Sequence, residues 1–586
     1  MRTILRYLKP YFLKMAGGLT IKFSGTIMDL FLPWILAYVI DYVAPRKQIL
    51  PVCLWGGLMV GCSILAVSAN VIANRMAAAV ARDAVRTLRH DLFAKISLLS
   101  CAQIDAITVP SLVARLSSDT YNVHRLTSGI QRLGIRAPIL LLGGILITLS
   151  LDPMLTLVLL AVLPFTALVI RLVSKKGIPL YTKLQGAVDV MIRVVRENIT
   201  GIRIVKALSK TDYEKQRFAG ANGEVTGREW KANVIMGITN PAMSLLLNLG
   251  LVAVIIVGAH RVNAGQTPPG EILAFLTYFT IILNATLSIS RMFVMYSRGS
   301  ASAGRIAGIL ILPEDLRPRG RSHKDDGCHI SFEKVFFSYQ ANSPPGLLED
   351  ISFSLKRGET LGILGETGCG KSTLLQLLLR FYDVDSGHIR INGDDIRGIP
   401  PDELYAKFGV VFQKDVLFAE TIRENIAFGR NLTEEELRRA VQWAQAGDFI
   451  NALEEGLDHR ISARGTTLSG GQRQRLLIAR ALAAAPEILL LDDSSSALDY
   501  RTDAELRRCL EERFRETTTI IVAQRISSVR RADHILVLDQ GRIAGYGSHG
   551  ELLQSCPVYQ EINWSQTGRP GLSGEDAPGG TQQYAR

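Results

Sequence analysis

The sequence has no CxxC pair and no metal-ligand spacing among its cysteines. The seven that it holds (Cys53, Cys62, Cys101, Cys328, Cys369, Cys509 and Cys556) are scattered over 586 residues. That scatter argues against a disulfide scaffold or a zinc site, and for reduced thiols in a cytosol-facing or membrane-buried chain. No secretory leader is expected: Met1–Tyr11 (MRTILRYLKPY) is basic and amphipathic, and reads as a helix on an inner membrane surface. From Ser63 to Val109 there is neither Gly nor Pro, which allows one unbroken helix of ~70 Å, more than twice the hydrocarbon thickness. Acidic residues are outnumbered, 54 against 66 basic ones, for a net charge of +12. No nucleic-acid partner is expected from this, because Lys and Arg concentrate between apolar stretches, as in the cytoplasmic loops of membrane proteins.

Long uncharged runs fill the part before about residue 310, and the part after about 325 reads as a soluble α/β domain. Six spans can be placed, at about 17–42, 51–75, 133–151, 153–173, 234–262 and 271–293, each with ~20 mostly apolar residues. The links after spans 1, 3 and 5 are short. Those after spans 2 and 4 are long and basic, which puts them and both termini inside. Each long link must turn back, with Ala102–Pro110 and Leu208–Glu214 as the expected turning points. Lys22 and Asp29 lie on one face of the first span, seven residues apart, and either line a polar cavity or pair with other helices.

Gly365–Ser372 (GETGCGKS) matches GxxxxGK[ST], between the apolar run Leu361–Leu364 and the helical pattern TLLQLLLRF. In that setting the backbone N–H groups wrap phosphate oxygens, Lys371 adds a charge and Ser372 can hold Mg²⁺. The nucleotide-binding set from this stretch is Gly365, Glu366, Thr367, Gly368, Cys369, Gly370, Lys371, Ser372 and Thr373. The strand-like run Ile488–Leu491 carries Asp492 to the same strand-end crevice, where it fits the Mg²⁺-coordinating aspartate of P-loop nucleotidases.

Between these two motifs lies LSGGQ (Leu468, Ser469, Gly470, Gly471, Gln472), followed by RQRLLIARAL. With the P-loop and Asp492 in this order, the chain resembles an ABC transporter of the exporter type, one membrane domain fused to one ATPase domain. The fold this implies is six transmembrane helices followed by an α/β P-loop ATPase domain with a helical subdomain. The expected divisions are a membrane domain at 1–312, a linker at 313–328, a nucleotide-binding domain at 329–565 and a disordered tail at 566–586. The resemblance also implies roles for single residues. Tyr339 (in VFFSY) would stack on adenine, and Gln413 (in VVFQKD) would sense Mg²⁺ and contact the membrane domain. Ser469, Gly470 and Gly471 would cap the γ-phosphate of ATP held by the opposite subunit, and Asp499 (in SALD) would link the two ATP sites. The two turning points resemble coupling helices.

Three positions depart from the family pattern. Asp493 stands where the family usually has a Glu general base, Gln524 (in TIIVAQRISSV) stands where it normally has His, and Ala463 (in ISARG) stands where it often has Glu. A carboxylate one methylene short sits ~1 Å or more back, a displacement that can cost ~100-fold in rate. Gln donates a hydrogen bond but carries no charge and is no tunable acid. Because each ATP is sandwiched between one chain's P-loop and the other's LSGGQ, the resemblance implies a slow ATP site at this chain's P-loop and an intact signature lent to a partner. The expected assembly is a heterodimeric exporter, fuelled by ATP–Mg²⁺, for drug-like or lipid-like molecules in a bacterial plasma membrane. An ATP-gated pore or regulatory subunit, or a homodimeric exporter with Asp493 as a working base, are the alternatives.

Overall fold

The computed structural model describes residues 2–314, 318, 320–324, 327–339, 347–462, 465, 467–494 and 496–567. Ala463 and residues 568–586 lie outside the described residues. The described residues form two compact units, one within 2–97 and 108–312, the other within 98–107 and 313–567.

In the first unit six helical segments are long and apolar enough to cross a membrane: Thr3–Arg46, Ile49–Ser97, Val109–Leu151, Pro153–Thr200, Thr211–Asn263 and Pro269–Leu310. Each expected span lies inside one of them. Small residues set how closely they approach. A Cβ on Gly25 would lie 2.9 Å from Ala69 Cβ, and one on Gly250 would lie 2.1 Å from the Phe279 ring, so these glycines let neighbouring helices meet. The core beside them holds Leu30, Leu155, Val254, Tyr278 and Phe279, and the buried Tyr278 hydroxyl donates to Leu30 O at 2.5 Å. The two charges of the first span are paired. Lys22, 3 % exposed, donates to Asn74 Oδ1 at 3.1 Å. Asp29 meets Arg136 at 3.1 Å and Asn70 Nδ2 at 3.4 Å.

Two local features differ from the expectation. The helix that begins at Ile49 stops at Ser97 and does not continue to Val109. Ser100 Oγ accepts from Gln103 N, and Gln103 Oε1 accepts from Ser100 N, a reciprocal cap that starts a separate short helix, Cys101–Ile107. At the other link the short helix Ile202–Ala207 comes first, and the next helix begins at Thr211, so the turn is narrower than Leu208–Glu214. The N-terminal helix Arg2–Leu8 is also tied to the long helix that starts at Ile49, with Tyr7 Oη donating to Asp91 at 2.8 Å.

The second unit carries two sheets. One has the order β2-β1-β4-β5, from β1 (Ile330–Phe337), β2 (Leu348–Leu355), β4 (Ser386–Ile391) and β5 (Asp394–Asp395). The other has the order β10-β9-β3-β8-β7-β6, from β3 (Thr360–Gly365), β6 (Phe408–Val411), β7 (Ile488–Asp492), β8 (Thr518–Val522), β9 (His534–Asp539) and β10 (Arg542–Gly547). Four of its five pairings are parallel, only β9 with β10 being antiparallel, and β3 and β7 both lie against β8. Ile488–Leu491 are buried on both faces, which is why the run reads as unbroken aliphatic. A separate core around Leu437, Val441, Leu476 and Leu489 gathers the helices Ile422–Ala427, Glu434–Trp443 and Gly470–Leu482 into the helical subdomain. The last described helix, Pro557–Thr567, includes Gln566 and Thr567, two residues of the segment expected to be tail.

Candidate ATP site

The phosphate loop leaves β3 at Gly365 and enters the helix Lys371–Leu378. Gly365, Gly368 and Gly370 have φ of 152°, 91° and 103°. A Cβ at Gly365 would lie 2.2 Å from Leu538 O, and one at Gly370 would lie 2.7 Å from Leu348 Cδ2. Glycine is therefore required at both for backbone and for space. The Lys371 ammonium donates to Gly365 O at 2.7 Å and Glu366 O at 2.6 Å, so its charge is held against the loop backbone. Cys369 is buried, and burial pushes its thiol up.

Asp492 ends β7 beside this loop. Burial raises its carboxyl above the ordinary range, the hydroxyl of Ser372 donates to it, and the neighbouring Asp493 charge raises it further. A backbone hydrogen bond from Gln413 reaches the same carboxylate. Asp493 has φ of 50°, with its amide donating to Val522 O at 2.9 Å and its carbonyl accepting from Ser496 Oγ at 2.9 Å. The strand ends thus bring together the P-loop, Ser372, Asp492, Asp493 and the Gln413 backbone.

Tyr339 is 49 % exposed and offers a free ring surface. Its hydroxyl donates to Gln376 Oε1 at 2.7 Å and lies 3.2 Å from the Thr373 hydroxyl, which ties it to the phosphate-loop helix. The LSGGQ residues form a second group. Ser469 Oγ accepts from Gln472 N at 3.2 Å and Gln472 Oε1 accepts from Ser469 N at 2.9 Å, capping the helix Gly470–Leu482. A Cβ on Gly471 would lie 3.2 Å from Ala497 O, next to Asp499, which caps the helix Tyr500–Arg513 through Thr502 N at 2.9 Å.

Two parts of the arrangement were not legible in the motifs. Gln566 grips the segment around Gln524 from both sides: its Nε2 donates to Gln524 O at 2.8 Å, and its Oε1 accepts from Ile526 N at 2.8 Å. Tyr382 donates to Asp105 of the short helix Cys101–Ile107 at 2.5 Å. The first lay in a stretch read as tail. The second joins residues 277 apart in sequence.

Residues 15–286 match the family model described as the ABC transporter transmembrane region, and residues 348–496 match the one described as ABC transporter. The chain belongs to the ABC transporter family. Relatives of this transporter include the ABC transporter ATP-binding protein YfiB of Bacillus subtilis (strain 168), 34 % identical over 97 % of this chain and 99 % of that one. An ATP-dependent lipid A-core flippase of Nitrosococcus oceani is 33 % identical, over 94 % and 93 % of the two chains. A fatty acid ABC transporter ATP-binding/permease protein of Mycobacterium bovis is 32 % identical, over 81 % and 75 %. Among solved structures, a bacterial Atm1-family ABC exporter with ATP bound superposes with a TM-score of 0.82 at 26 % identity, covering 96 % of this transporter and 99 % of that chain. The transporter is an integral membrane protein with a cytoplasmic ATPase domain. It binds ATP and couples ATP hydrolysis to transport across the membrane. It is a half-transporter of the exporter type, which works as a dimer with another half or with a second copy.

Proposed function

We propose that this half-transporter pairs with a different half to export amphipathic, lipid-like or drug-like molecules from a bacterial cytoplasm, and that its own P-loop forms the slow ATP site of the pair. The observation that carries this is the coincidence of Asp493 and Gln524 at the two positions assigned to γ-phosphate chemistry, beside an unaltered Ser469–Gln472. The lipid A-core and fatty acid names of two relatives support the substrate class.

On this reading adenine stacks on Tyr339, and the loop amides and Lys371 hold the phosphates. The donor set suits Mg²⁺: the Ser372 hydroxyl and Asp492 carboxylate are hard oxygen ligands already joined by a hydrogen bond, with Gln413 beside them. When bound, Mg²⁺ neutralises charge on the β- and γ-phosphates. The residues of the chain itself do the rest. Gln524 donates to the γ-phosphate without supplying charge. Asp493 orients water poorly because its carboxylate is short. Ser469 and Gly471 close the partner's site and stabilise charge as it develops there.

The test compares two base variants in the reconstituted complex. Asp493→Asn is expected to spare most ATP turnover, and neutralising the partner's base to abolish nearly all of it. Vigorous ATPase activity of the chain purified alone would instead establish a homodimer in which Asp493 is the working base.

A further inference from the structure

We infer that the ATPase unit holds a second small-molecule site, for a short-chain amphipathic carboxylate, at the end of its larger sheet that lies away from the phosphate loop. β3 and β8 run parallel, and their C-terminal ends lead to the phosphate loop and to Gln524. Their N-terminal ends, roughly 17 Å back along β3, open on a cavity of about 270 Å³ beside the second half of the helix Tyr500–Arg513.

The floor of this cavity is apolar. Leu510, Phe514, Ile521 and Ala532 line it, and the packing of the chain leaves all four half-buried. It is the gap where two cores meet: Leu510 and Phe514 pack on the one around Leu476 and Leu489, Ala532 on the one around Ile535 and Tyr559, and Ile521 on both. The walls are fixed. Gly358 has a φ of 81°, and a Cβ there would lie 2.4 Å from Arg515 O, so glycine lets the turn before β3 close on the end of the helix. Gly358 N donates to Thr518 Oγ1 at 3.1 Å, and Thr360 N to Asp533 Oδ2 at 2.8 Å. The rim keeps unused donors. Among the described residues the Arg515 side chain bonds only through Nε, to Glu511 O at 3.2 Å. The Arg531 guanidinium is 3.7 Å from Glu511, beyond hydrogen-bond range. Two planar forks beside an apolar floor suit a carboxylate that carries a short tail. The acidic neighbours Glu511 and Asp533 penalise a doubly charged phosphate more than a single charge. The volume equals that of about nine liquid waters, which suits a ligand of about ten non-hydrogen atoms, the size of octanoate.

Arg507, a third guanidinium in the wall, connects this site to the nucleotide end of the sheet. It donates to Ser527 O at 2.8 Å, to Ser528 O at 2.7 Å and to Asp503 at 2.6 Å. Asp503 belongs to the helix that Asp499 caps, and Ser527 and Ser528 follow closely on Gln524. One side chain of the cavity wall thus ties together the elements that carry Asp499 and Gln524. A ligand that packs on Leu510 and Phe514 beside Arg507 holds that tie closed, so occupancy opposes local opening at 523–529 as well as around the cavity.

The experiment is hydrogen exchange read by mass spectrometry on the full transporter in lipid nanodiscs, titrated with octanoate, with octanamide as the uncharged counterpart, or with acetate as the tailless one. Octanoate is expected to bind with a Kd on the order of 0.1–1 mM. At about five times that concentration it should slow exchange at 510–517 and 523–533 by about sixfold. Octanamide and acetate should have little effect at the same concentration. Arg515→Gln with Arg531→Gln changes two exposed side chains and should abolish the octanoate effect at both segments. Arg507→Lys should keep protection at 510–517 and lose it at 523–529. No slowing by octanoate, equal slowing by octanamide, or full slowing in the double Gln variant would each overturn the site. Undiminished protection at 523–529 in Arg507→Lys would overturn its connection to Gln524. Octanoate held in the membrane unit as cargo protects neither segment, so the result does not depend on the cargo proposed above.

Discussion

Replacing Asp493 by Glu separates geometry from chemistry at the ATP site proposed to be slow. The backbone there is held on both sides, by Val522 O and by Ser496 Oγ, each at 2.9 Å. The Cα stays in place, so side-chain length alone sets how far the carboxylate reaches. A shortfall of ~1 Å is worth ~100-fold, or about 2.7 kcal/mol of barrier at 1.36 kcal/mol per tenfold. Gln524 still lacks the charge of an imidazolium, so the single change is expected to recover only part of this, roughly tenfold. Adding Gln524→His should bring the total closer to ~100-fold. A structural cost accompanies the gain. Residue 493 has a left-handed φ of 50°, which Asp adopts more readily than longer side chains, so the Glu variant should lose about 1 kcal/mol of folding stability. The assay is phosphate release from the proposed heterodimer, reconstituted with a partner that carries a neutralised base, which keeps the background low. Unchanged turnover in the double variant would refute the geometric reasoning. A gain in turnover with no fall in thermal midpoint would refute the backbone part of it.

Three further outcomes follow from the same geometry. Lys371→Ala removes two charge-assisted contacts at the loop mouth and should weaken ATP binding roughly 10- to 100-fold; unchanged binding of a fluorescent ATP would exclude Lys371 as a phosphate ligand. Gln566→Ala frees Gln524 O and Ile526 N and should speed hydrogen exchange at 523–527 by roughly tenfold with nucleotide affinity unchanged; no change would mean that the segment is held by other groups. For Asp395, burial alone would raise the carboxyl, but hydrogen bonds from Arg397 and His388 outweigh it and hold it well below the usual carboxylate range. Its stabilising contribution is therefore present above about pH 4 and lost as pH falls from there toward the folded-state value; Asp395→Asn should lower the thermal midpoint at pH 7, with the gap to the unaltered protein closing in acid, and a pH-independent gap would contradict the pairing.

The features legible in the sequence are those that physics writes locally. An apolar run of sufficient length marks a span, and the phosphate loop must place its glycines, Lys371 and Ser372 within eight residues. The break after Ser97 was also written, as Ser-x-x-Gln at Ser100–Gln103, although the absence of Gly and Pro masked it. The pairing of Lys22 and Asp29 was open because their partners Asn74 and Arg136 come from other helices. Tyr382 with Asp105, and Gln566 with Gln524, have no local signal at all, because each bond joins segments 277 or 42 residues apart. Such contacts exist only once the sheets and the final helix are in place.

Cys369 sits at the centre of the phosphate loop, yet it is buried and its thiol is pushed upward by that burial. The nearby Lys371 ammonium, 3.9 Å from the sulfur, favours the thiolate but does not overcome the loss of solvent. A thiol kept protonated is a poor nucleophile toward peroxides and disulfides. A buried, protonated thiol at this position is thus suited to packing within the loop rather than to redox chemistry.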